Sequence, residues 1–168
     1  MIECVERLGA HYRLDLILAA SDPVYLRELE ARVSRVTNVR LLPERPREEL
    51  VEALNSYDIG LFAPPASTQN LRYSLPNKLF EYVQARLMVV VSPLADAASL
   101  VEESGLGVVA SAATGNALAD CIGQIGVDAI AAAKRRVDWQ AKRMHARNYA
   151  TGMLRIAGIT SQSQGNGG

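Results

Sequence analysis

The chain has 168 residues, of which 49% are hydrophobic and 21% are charged, and its formal net charge at pH 7 is +0. This length and composition predict one soluble globular domain with a substantial core. The balanced charge argues against a general affinity for nucleic acid. No apolar run approaches the roughly 18 residues that a membrane-spanning helix needs. The first residues lack the basic start and apolar run of a secretory signal, and the only cysteines, Cys4 and Cys121, lie far apart, which indicates a cytoplasmic chain.

Predicted strands and helices alternate along the whole sequence. Short apolar runs bounded by turn residues predict strands, and apolar residues three or four positions apart predict helices. The predicted strands are Leu14–Ala20, Val39–Leu42, Ile59–Ala63, Met88–Ser92 and Gly107–Ala110. Further helices are predicted over residues 2–9, from Pro23 after an Asp22 cap, over Arg45–Leu54 and Ala95–Glu103, from a cap at Thr114 or Asn116 to Ile125, and over Val127–Ile156 with or without a break near Trp139.

This alternation predicts the fold class. It indicates an α/β protein, a Rossmann-like three-layer sandwich with a mostly parallel sheet and right-handed crossovers, over residues 1–159. Residues 160–168 are polar and rich in Gly, Ser and Gln, so we expect a disordered tail there. In such sheets, ligands bind outside the carboxyl ends of the strands.

The stretch Ser-Leu-Pro-Asn-Lys-Leu-Phe-Glu-Tyr, which starts at Ser74, is the strongest functional signal. Ser74 suits a helix N-cap, and Pro76 suits the first turn, where its missing N–H would be unpaired anyway. Asn77, Lys78 and Glu81 then share one helical face. Because a lysine in the first turn opposes the helix dipole, this arrangement indicates a bound anion such as a phosphate. Glu81 could accept hydrogen bonds from a sugar diol.

A structural alternative exists for the same residues. Lys78 and Glu81 can also form a solvated ion pair on an exposed face, and such pairs contribute only tenths of a kcal/mol. Spacing alone does not separate this alternative from a binding site.

Together with the following strand Met88–Ser92 and the order of elements over residues 12–155, the Ser74 motif resembles the nucleotide-sugar-binding half of GT-B retaining glycosyltransferases of family 4 (glycosyl transferases group 1). The resemblance implies that Glu81 contacts the ribose of a UDP-, GDP- or ADP-sugar. It implies that the helix start at Asn77 and Lys78 lies beside the diphosphate. The backbones of Leu42 and Pro43 are the expected contacts of the base.

The resemblance also implies partners. In the family, an N-terminal domain binds the acceptor, so this chain would act with such a domain on another chain or in a longer form. No metal site is expected, because His11 and His145 are the only histidines and neither stands in a ligand cluster. We expect the chain alone to be inactive as a hexosyltransferase.

The sequence departs from the family pattern at several places. Tyr73 stands where many members have a first glutamate, and Ala20–Pro23 replaces a glycine-containing loop. The family domain begins with one more strand and a basic loop than this chain has. In the family strand order 3-2-1-4-5-6 that strand is central, so the strand Leu14–Ala20 either lies beside a gap or the sheet closes around it.

Two other interpretations remain open. The chain could be a non-catalytic remnant or interaction module that keeps the fold without the ligand. Residues 134–155, with Asp138 as the only acid among many basic residues, could contact anionic lipid at the inner membrane face through Val137, Met144, Leu154 and Ile156. A packed helix with a solvated basic face is the alternative for that segment.

Overall fold

The structure is a computed structural model that describes residues 1–18, 22–64 and 77–143, apart from five side chains (Arg47, Trp139, Gln140, Lys142 and Arg143). Helices and strands alternate along these residues, as the sequence predicts. The strands are β1 (Leu14–Ile17), β2 (Val39–Leu42), β3 (Ile59–Phe62), β4 (Met88–Val91) and β5 (Gly107–Val109). The helices are α1 (Ile2–Leu8), α2 (Pro23–Val33), α3 (Arg47–Leu54), α4 (Asn77–Gln84), α5 (Ala95–Glu103), α6 (Gly115–Gly123) and α7 (Val127–Arg143).

All strand pairs among the described residues are parallel, which confirms the predicted Rossmann-like α/β fold. The strands form two sheets: β1 pairs with β2, and β4 lies between β3 and β5. No backbone hydrogen bond joins β1 to β3 in this part of the chain. Of the two alternatives left open by the sequence, the structure therefore shows the gap beside Leu14–Ile17.

Helices cover both faces of the strands. On one face, α1 and α2 pack with β1 and β2, through a cluster that includes Val5, Leu16 and Val33. On the opposite face, α4, α5 and α7 pack on β4, through Leu79, Val101 and Val137 among others. The result is a helix–sheet–helix arrangement with its apolar core on both sides of the strands.

Strand β4 lies at the centre of the larger sheet. All its residues are buried, which explains the uninterrupted Met-Val-Val-Val run. Its neighbour β5 begins at Gly107, where an added Cβ would lie 1.8 Å from the carbonyl oxygen of Val89. Glycine is therefore required at this position by the close approach of two backbones.

Local signals set several helix ends. The Asp22 side chain accepts a hydrogen bond from the Val24 N–H at 2.8 Å, which confirms the predicted cap of α2. The Thr114 hydroxyl accepts from the Ala117 N–H at 3.3 Å, so Thr114, not Asn116, caps α6. Helix α7 continues through residue 139 without a break. The predicted continuation to Ile156 and the tail 160–168 lie outside the described residues.

Candidate functional site

The candidate site is a cleft of about 300 Å³ between β1 and β3. The residues of both strands form its two long walls, and α3 and α4 contribute Leu50, Leu54, Lys78, Glu81 and Tyr82. Leu18 and Pro64, which follow the carboxyl ends of β1 and β3, also line it. The cleft thus opens toward the edge of the sheets where ligands of parallel α/β proteins bind.

Two of the residues predicted from the sequence, Lys78 and Glu81, meet in this cleft. The Lys78 Nζ atom lies 3.4 Å from Glu81 Oε2, with side-chain exposures of 52% and 16%. Glu81 Oε2 is buried and has no hydrogen-bond partner among the described residues, so the contact with Lys78 is a charge interaction without a hydrogen bond. The alternative of a fully solvated pair therefore fits Lys78 but does not fit Glu81.

An unpartnered carboxylate oxygen next to a cavity is unusual in a folded protein. Buried polar atoms almost always have a hydrogen-bond partner, and leaving one without a partner costs about 1–3 kcal/mol. The orphaned oxygen of Glu81 therefore marks this part of the cleft as a place where a ligand hydroxyl or N–H would be stabilised.

Tyr82 follows Glu81 and holds α4 against β3. Burial, and secondarily the Glu81 charge, raise the pKa of Tyr82 to about 12. Its Oη donates to the carbonyl oxygen of Leu61 at 3.3 Å, and its ring lies where a Cβ on Gly60 would be 2.4 Å away. Tyr82 is therefore a neutral packing residue that fixes the position of the Glu81 side of the helix.

A second polar group consists of Arg40 and two residues that line the cleft, Asp15 and Tyr57. Arg40 on β2 donates from Nε to Asp15 Oδ1 at 2.8 Å, and Tyr57 Oη donates to Asp15 Oδ2 at 2.7 Å. The Arg40 hydrogen bond, with smaller help from Tyr57, lowers the pKa of Asp15, and burial and Asp15 raise the pKa of Tyr57. Since the carboxylate is satisfied, this group stabilises the fold and offers no free acceptor to a ligand.

Sequence analysis missed this group, although a signal was present. Asp15 interrupts an otherwise apolar strand, and a carboxylate in such a position requires a partner. Arg40 lies beside Asp15 because β1 and β2 pair in that register. The register forms only when the sheet assembles, so the sequence did not reveal Arg40 as the partner.

The other predicted site residues do not join the cleft. Asn77 is exposed at the start of α4. Leu42 ends β2 and Pro43 follows it, on the side of β1 away from the cleft. The predicted site residues Ser74 and Pro76 lie outside the described residues. Among the described residues, no group of His, Cys, Asp and Glu could hold a metal ion.

A second cavity, of about 380 Å³, lies between α1 and α2. Its wall includes Leu16, Leu18 and Leu29. Two of its lining residues form a salt bridge: Arg32 Nη2 donates to Glu3 Oε1 at 3.2 Å. These two charges are therefore already paired. The cleft between β1 and β3 is the better candidate for a polar ligand, because it contains the Glu81 oxygen that lacks a hydrogen bond.

The predicted lipid-contacting segment is described only as far as Arg143. Val137, one of its proposed apolar contacts, is fully buried in the core against α4 and β4. At this residue the packed-helix alternative is confirmed and the lipid contact is not, because α7 uses its apolar face for internal packing. No helix in the described part of the chain is long and apolar enough to cross a membrane.

The fold and the cleft together define a Rossmann-like α/β protein with a candidate ligand site between two of its parallel strands. Residues 1–128 match the family model described as Glycosyl transferases group 1, and the chain belongs to this family. A comparison with curated proteins gives no match. Membership supports a role in sugar transfer, which in general involves a nucleotide-sugar donor and an acceptor.

Proposed function

We propose that this chain is the donor-binding portion of a retaining glycosyltransferase of family 4 with a GT-B fold. It would hold a nucleotide-diphosphate sugar while a separate acceptor-binding domain completes the active site, so the chain alone would be inactive. The observation that carries this proposal is the buried oxygen of Glu81 in the cleft, which lacks a hydrogen bond and lies 3.4 Å from the Lys78 ammonium.

Glu81 would bind the ribose of the donor. An ionised carboxylate is an acceptor-only group with two oxygens, and the two hydroxyls of a ribose diol are donors. Hydrogen bonds to a charged acceptor are about twice as strong as neutral ones. A bound ribose would therefore give a hydrogen bond to the oxygen that has none in the free protein.

Lys78 would face the diphosphate. Its ammonium group is half exposed at the amino-terminal turn of α4, where free N–H groups and the helix dipole favour an anion. Asn77 opens the same turn, and Ser74 and Pro76 precede it in the sequence. A lysine interacts with phosphate as a compact point charge, so it would neutralise the diphosphate without fixing its orientation.

The base would lie toward the carboxyl end of β2, where we assign its contacts to the backbones of Leu42 and Pro43. Because Leu42 and Pro43 lie across β1 from the cleft, the nucleotide would extend over the end of β1. The proposal requires no protein-bound metal ion, and the bound base could be that of a UDP-, GDP- or ADP-sugar.

The direct test is isothermal titration calorimetry of the full chain with UDP, GDP and ADP. We expect binding of one nucleotide, and loss of that binding in Glu81→Ala. Glu102→Ala removes an exposed glutamate of α5 and serves as the matched control that should bind as the unmodified chain does. Circular dichroism checks that each variant is folded.

A folded chain that binds none of the three nucleotides, or a Glu81→Ala variant that binds as well as the unmodified chain, would contradict the proposal. The first result would favour the alternative, a non-catalytic module that keeps the fold without its ligand.

A further inference from the structure

We draw no further inference here: the strongest candidate, the cavity of about 380 Å³ between α1 and α2, carries nothing because its walls are largely apolar and nothing in the described part of the chain shows what covers them.

Discussion

Tyr57 donates a 2.7 Å hydrogen bond to the Asp15 carboxylate, and this bond joins the segment before β3 to the middle of β1. The two residues belong to elements that share no backbone hydrogen bond. The Asp15 side chain is only 1% exposed. The pair is therefore a direct link between the two sheets on the face opposite α1.

The first prediction concerns this link. Tyr57→Phe should lower the free energy of unfolding by about 1.5–3 kcal/mol, because it removes a hydrogen bond to a buried charged group. Urea unfolding followed by circular dichroism measures the change. Tyr25→Phe is the matched control: Tyr25 is 54% exposed, and its substitution should change stability by less than about 0.5 kcal/mol. Equal effects of the two substitutions would contradict the assigned role.

The second prediction concerns acid stability. The Arg40 guanidinium, with Tyr57, lowers the pKa of Asp15 in the folded protein below its value in the unfolded chain. The stability that Asp15 contributes is therefore fully present above the unfolded pKa of about 3.9 and is lost as pH falls through the folded pKa. Asp15→Asn should be less stable than the unmodified chain at neutral pH.

This difference should stay constant from about pH 7 to about 5 and should then shrink as the pH falls to about 2. Urea unfolding of both proteins across that range measures it. Comparing the two chains cancels the titration of the other carboxylates. A difference in unfolding free energy that stays constant over the whole range would show that the ionisation of Asp15 is not linked to folding.

The third prediction separates stability from binding at Glu81. Glu81→Met replaces a mostly buried carboxylate, one oxygen of which lacks a hydrogen bond, by an apolar side chain of similar length. The free protein should gain about 1 kcal/mol of stability, because the desolvation cost of the unsatisfied oxygen disappears. Nucleotide binding should be lost in the same variant.

Thermal melts with and without nucleotide measure both effects. Glu102→Met, at an exposed position, should change the melting temperature little and leave any nucleotide-induced shift intact. A Glu81→Met protein that is less stable than the unmodified chain would indicate that the carboxylate is satisfied within the free protein.

The fourth prediction concerns the contact between β4 and β5. Gly107→Ala would place a Cβ against the Val89 backbone, and because a backbone cannot move aside as a side chain can, the cost should be about 3 kcal/mol or more. Gly123→Ala is the control, since its Cβ would lie 3.5 Å from a Leu8 methyl group. That substitution should be neutral or stabilise α6 by up to about 1 kcal/mol. Urea midpoints decide between these outcomes.

Much of the fold was predictable because its signals are local. The Met-Val-Val-Val run predicts a strand, and the structure has that strand as β4, with every residue buried. The Asp22-Pro23 pair predicts a helix start, and Asp22 caps α2. Where an outcome depends on packing, the sequence left alternatives open, as at Val137, whose place in the core a basic segment does not reveal.

The candidate site was predictable only in part. Helical spacing brings Lys78 and Glu81 together whatever the rest of the chain does. The Asp15–Arg40–Tyr57 group was not predictable in the same way, since its members come from β1, β2 and the segment after α3. Leu42 and Pro43 were predicted as base contacts, and this remains a prediction.

The sequence by itself determined the alternation of parallel strands and helices and the pairing of Lys78 with Glu81. Both depend on local features: the periodicity of apolar residues within one element and the three-residue spacing along one helix. Only the tertiary structure decided that Glu81 is buried and that the sheet is interrupted between β1 and β3. Burial and strand pairing depend on segments far apart in the chain, such as α1 and Tyr57, which no local pattern encodes.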